Sequence, residues 1–95
     1  MKFTASAKSA RKGNDELSFV ITLEIDGQIL GTLTEKHTYS EDGNDASYRY
    51  MVDINSDVTF SHHTRAFQTP RGCAGYTTIT AFRDNDECTV TVHHF

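Results

Sequence analysis

The sequence predicts an all-β fold: a single-domain antiparallel meander of six or seven strands, closed as a small barrel or a two-layer sandwich. Three observations carry that expectation. Every second residue from 17 to 25 is a large apolar one, turn signals recur at short intervals along the chain, and no segment repeats apolar residues at the spacing of a helix face. The chain of 95 residues has room for one core, so residues 1–95 form one domain.

Residues 2–9 read as a first strand with Phe3, Ala5 and Ala7 inward. Leu17, Phe19, Ile21, Leu23 and Ile25 then alternate with Ser18, Val20, Thr22 and Glu24, the period of a strand with one buried face. Asp26-Gly27 supplies a hairpin turn. A three-residue loop with Gly27 in the left-handed region sets Leu23 opposite Ile29 and Phe19 opposite Leu33, so that apolar faces apolar. A two-residue loop pairs Phe19 with Thr34 instead, and the longer loop is the better expectation.

Tyr48, Tyr50, Val52 and Ile54 alternate with Arg49, Met51 and Asp53 in a further strand. After the turn signal Asn55-Ser56-Asp57, Val58 and Phe60 alternate with Thr59 and Ser61. Residues 76–82 and 88–94 flank Arg83-Asp84-Asn85-Asp86-Glu87, a second hairpin signal. The terminal strand holds no lysine, proline or glycine, whereas the first carries Lys2 and Lys8. A bare edge of that composition invites pairing. The terminal strand is therefore expected to be covered, by the first strand in a closed barrel or by its twin in a homodimer.

Composition narrows the function. Hydrophobic residues make up 37% of the chain and charged residues 23%, ordinary for a globular domain. A formal charge of −4 argues against direct binding of nucleic acid, which favours a basic stripe. No apolar run approaches a membrane span and the start lacks a signal-peptide core, so the expectation is a cytoplasmic protein with no membrane contact. Cys73 and Cys88 read as free thiols. Cys88 pairs near residues 81–83, Cys73 lies well before that strand, and a disulfide needs Cα atoms within about 7 Å.

Four histidines come in two doublets, His62-His63 and His93-His94. Adjacent residues on a strand point to opposite faces, so neither doublet chelates one ion as a pair. His62 continues the face of Val58 and Phe60, and His94 continues that of Cys88, Val90 and Val92. In a meander the strand of residues 76–82 lies between them. That holds them roughly 9–10 Å apart, too far for ligands that each sit about 2 Å from zinc. The doublets read as strand ends.

A thiol nucleophile needs a base and an electropositive setting, and the one candidate is Cys73 near Arg71. Pro70, Gly72 and Gly75 around it are ordinary connection residues. No phosphate loop or nucleophile elbow is present. The expectation is a non-enzyme with no cofactor and no metal. Asp84-Asn85-Asp86-Glu87 and Asp42-Gly43-Asn44-Asp45 are oxygen-rich, which leaves a small-ligand- or calcium-binding β-barrel as the alternative.

Charge placement points further. Of 13 acidic residues, Glu24, Glu35 and Asp53 fall within strands and the rest in connections. Alternate connections of a meander emerge at one end. One end then collects Asp26, Asp57, Asp84, Asp86 and Glu87 against Arg83, and the other Asp15, Glu16, Glu41, Asp42 and Asp45 against Arg11, Lys12 and Arg71. The first end is the more one-sided. A focused acidic rim attracts a basic protein surface and speeds encounter with it. Asp26, Asp57, Asp84, Asp86 and Glu87 are therefore the candidate partner-binding residues.

In size, charge and class the chain is similar in kind to small phage- or mobile-element-encoded inhibitors, anti-CRISPR proteins among them. The likeness is one of size and composition and covers no motif. It implies a viral inhibitor that binds a basic surface of a larger nucleic-acid-processing machine.

Overall fold

The computed structural model is all-β, with seven strands in chain order: β1 (Phe3–Lys12), β2 (Glu16–Ile25), β3 (Gln28–Ser40), β4 (Gly43–Val52), β5 (Thr59–Thr69), β6 (Gly72–Arg83) and β7 (Asp86–His94). The structure describes residues 1–12, 16–40, 43–70 and 72–94, without the side chains of 9–12, 40, 43–44, 66–69, 72–73 and 94. Strands β1-β2-β3-β4 form one antiparallel sheet and β5-β6-β7 a second, each in sequential order. The architecture is a two-layer sandwich, not a closed barrel, 43 Å long and 20 Å across. Among the described residues no helix is long and apolar enough to cross a membrane.

The core follows from the alternation in β2. Leu17, Phe19, Ile21, Leu23 and Ile25 are all buried in one apolar cluster with Ile79, Ala81 and Val92 of the second sheet and Val58 just before β5. Phe3 of β1 closes it from the side, its ring 5.7 Å from that of Phe60. β7 runs beside β1 without a backbone ladder between them. The expected barrel closure over the terminal strand is thus replaced by side-chain packing. Cys88 Sγ donates to the Met1 carbonyl at 3.2 Å.

The β2–β3 register corrects the expectation. The loop has two residues, Asp26 (φ 51°) and Gly27 (φ 85°), both left-handed, and Ile25 pairs with Gln28. Such a turn matches the right-handed strand twist. By itself it would set inward residues against outward ones. A bulge between Leu23 and Glu24 skips Leu30 and restores the parity, so Leu23 meets Gly31, Ile21 meets Leu33 and Phe19 meets Glu35. Inward still faces inward, but displaced by two residues from the expected pairing.

Strand limits differ too. β4 begins at Gly43 and ends at Val52, so Asp45 lies in a strand and Ile54 falls in the following turn, 95% exposed. Arg11, Lys12 and Glu16 also lie in strands rather than connections, and Asp15, Glu41, Asp42 and Arg71 fall outside the described residues. β5 and β6 reach to Thr69 and back from Gly72, absorbing most of the expected 68–75 connection. Cys73 pairs with Gln68 and Cys88 with Ala81, which places the cysteines roughly 25 Å apart along β6. Cys88 is a free thiol, and the Cys73 side chain is outside the described residues.

Candidate functional site: an acidic end and a buried carboxylate

Three connections meet at one end of the sandwich. The β2–β3 turn brings Asp26, the β4–β5 connection brings Asp57, the β6–β7 turn brings Asp84, and Asp86 and Glu87, expected in that connection, open β7 instead, paired with Arg83 and Phe82. Arg83 ties the first two together: its Nε donates to Asp57 Oδ1 at 3.0 Å and its guanidinium approaches Asp26 Oδ2 at 3.4 Å. The backbone N–H of Lys2 donates to Asp26 Oδ1 at 2.7 Å. That bond, then the charges of the Met1 amine and Arg83, hold the Asp26 carboxyl below the ordinary value against a smaller opposing effect of burial. Asp86 lies 2.9 Å from the Met1 amine.

The β6–β7 hairpin is as tight as the first. Arg83 pairs with Asp86 around Asp84-Asn85, and Asp84 sits at φ 52°, a conformation that aspartate tolerates better than most side chains. All five candidate residues thus sit at one end. Asp26, Asp57 and Asp86 have cationic partners, and among the described residues no ion pair engages Asp84 or Glu87. Both are exposed. Surface pairs of this kind contribute little stability each, so the end is free to exchange them for a partner's charges.

A second polar cluster, which sequence reasoning missed, lies inside the sandwich. Glu35 on β3 is 3% exposed. Thr64 Oγ1 of β5 donates to its Oε1 at 2.6 Å and Thr77 Oγ1 of β6 to its Oε2 at 2.9 Å. Nε2 of His37 stands 3.6 Å from Oε1 and Nε2 of His62 3.9 Å from it. His62 is not a strand end: it is paired with Ile79 within β5 and its Nδ1 meets the Tyr50 hydroxyl at 2.5 Å. His37 stacks on Phe19 at 5.7 Å.

Burial pushes the Glu35 carboxyl up, but the polar hydrogens of His37, Thr64 and Thr77 and the field of His62 outweigh it, leaving the group below the ordinary carboxylate value. Burial, Glu35 and Tyr48 push Tyr50 up to about 12. A phenol raised above its unfolded value of 10 contributes stability in full below pH 10 and loses it as pH rises through about 12. Tyr50→Phe should therefore flatten the alkaline unfolding profile between those limits. A profile as steep as the parent's would contradict this.

The cluster ties one sheet to the other through charge-assisted bonds. The signal for it was present: Leu33, Glu35 and His37 share the inward parity of a strand. Among the described residues no group of three histidines, cysteines or acids is placed to hold a metal ion. His62 and His94 lie on β5 and β7 with β6 between them, the separation expected of a meander. Comparison with known proteins finds no matching family model, no matching curated protein and no matching solved structure.

Proposed function

We propose that this chain is a non-enzymatic protein-binding module, an inhibitor of the kind phages and mobile elements encode. It docks its acidic end on a basic surface of a larger nucleic-acid-processing machine in the cytoplasm. The observation that carries the reading is the gathering of Asp26, Asp57 and Asp84 from three connections, with Asp86 and Glu87 from the start of β7, onto one end. Two of those connections are two-residue turns, so the charges are held on stiff hairpins rather than long loops. Acids outnumber the cations Arg83 and the Met1 amine at this end, and a preorganised negative excess steers a basic partner and sets the register of docking.

The test is charge reversal. Asp84→Lys, Asp86→Lys and Glu87→Lys together lie on exposed positions and should leave the melting temperature within a few degrees, with Asp84→Lys and Glu87→Lys as the pair that spares the Met1 contact. Against a partner captured from the host, association should slow by about tenfold or more at low salt. The difference should shrink as salt screens it over about 8 Å at physiological strength. Equal affinity and an equal salt slope in the variants would move the contact elsewhere.

A further inference from the structure

The same end carries apolar surface that the charges surround. Ile54 is 95% exposed, Ile29 64% and Met51 59%. Strand pairing and the turn after β4 place all three at this end. Gly31 pairs with Val52 and Thr32 with Met51, and the Asp53 N–H donates to the Leu30 carbonyl at 2.8 Å, carrying the β3–β4 contact one step further. Ile29 precedes Leu30 at the start of β3, and Ile54 follows Asp53 in the turn after β4. Ile29 is paired with Glu24, and Met51 with Thr32, on the face of the first sheet that points away from the core.

Burial does not account for these positions. The inward parity of β2 and β3 is already filled by Ile21, Leu23 and Leu33. Nor does the turn require isoleucine: Asp53 Oδ1 accepts the Asn55 N–H at 2.9 Å, and the Ser56 hydroxyl accepts the Val58 N–H at 3.1 Å, so polar residues on both sides shape the turn. Carboxylates flank the patch in excess over the one arginine there: Glu24 beside Ile29, Asp53 beside Ile54, and at the adjoining turns Asp26 and Asp57, which share Arg83.

We infer that Ile29, Met51 and Ile54 form the apolar anchor of the interface whose charged rim is the acidic end. The partner surface is one of apolar side chains ringed by lysine or arginine. This rests on the protein-binding reading above. An apolar centre that becomes fully desolvated, with charges at its edge, is the usual distribution of binding energy in protein interfaces. The charge around the patch selects a basic partner over a second copy of this acidic chain.

Two synthetic peptides separate the anchor from the rim. The first is Lys-Leu-Lys-Trp-Lys-Leu-Lys with blocked ends, and the second replaces its leucines and tryptophan by glycine. Each is titrated into the isotope-labelled chain and followed by amide chemical shifts. The first should shift Ile29, Met51, Asp53 and Ile54 and bind about tenfold more tightly than the second, which should shift only the acidic turns. Ile54→Ser should bring the first peptide down to the affinity of the second, with an unchanged melting temperature. Equal affinity of the two peptides overturns the anchor and leaves the acidic rim standing. Failure of both to shift the turns at residues 26, 57 and 84–87 overturns the rim, and the anchor with it.

Discussion

Glu35→Gln is expected to destabilise the sandwich by about 2 kcal/mol, the loss from replacing charge-assisted hydrogen bonds by neutral ones. For a domain of this size that lowers the melting temperature by about 10 °C. The carboxylate accepts from Thr64 and Thr77 at once, and an amide offers one acceptor and one donor group where two acceptors are needed. One threonine must turn or lose its partner. The effect depends on pH with a definite sign. A carboxyl held below its unfolded value of 4.5 contributes stability above that pH and loses it as pH falls through the lower folded value. The gap between parent and variant should be full at neutral pH and close on acidification. A gap independent of pH would show that shape, not charge, is what Glu35 supplies.

Gly31→Ala is expected to cost about 2–3 kcal/mol, at the upper end of what overpacking does. A Cβ at Gly31 would stand 2.3 Å from the Met51 carbonyl oxygen and 2.8 Å from Val52 Cα, both backbone atoms that move only with the strand. The bulge that skips Leu30 bends β3, and at Gly31 the β4 backbone leaves no room for a Cβ. Gly27 makes the contrast. It sits at φ +85° with nothing within 4 Å of a new Cβ, so its need is conformational. Gly27→Asn should recover most of what Gly27→Ala loses, because asparagine visits the left-handed region. No side chain rescues Gly31. Chemical denaturation of the three variants orders these costs, and an unaffected Gly31→Ala would mean that the strands separate freely there.

The sequence carried the face of each residue further than its neighbour. Leu17 to Ile25 in steps of two predicts the buried side of β2 correctly because every outward position but Val20 is polar. The pairing across the hairpin depends on whether the chain skips a residue, and Leu30 looks no different from any other strand leucine. The result is two residues of displacement, and with it the placement of Glu35 opposite Phe19. Glu35 was legible as a strand residue, and its parity with Leu33 marked it as inward. The expectation that acids belong to solvent hid that, and His37 went unremarked because it stands outside the doublets. The start of β4 was missed for another reason. Asp45, Ala46 and Ser47 are all exposed, so no buried face imposes alternation there. The acidic end was legible as soon as the meander was, since sequential strand order fixes which turns share an end.

The most direct measurement is a hydrogen-exchange footprint of the chain bound to a partner captured from its host. Protection centred on residues 24–30, 51–57 and 83–87 is the result this account predicts, with the far half of β5 and the start of β6 unchanged. Protection confined to residues 65–75, at the opposite end of the 43 Å sandwich, would contradict it.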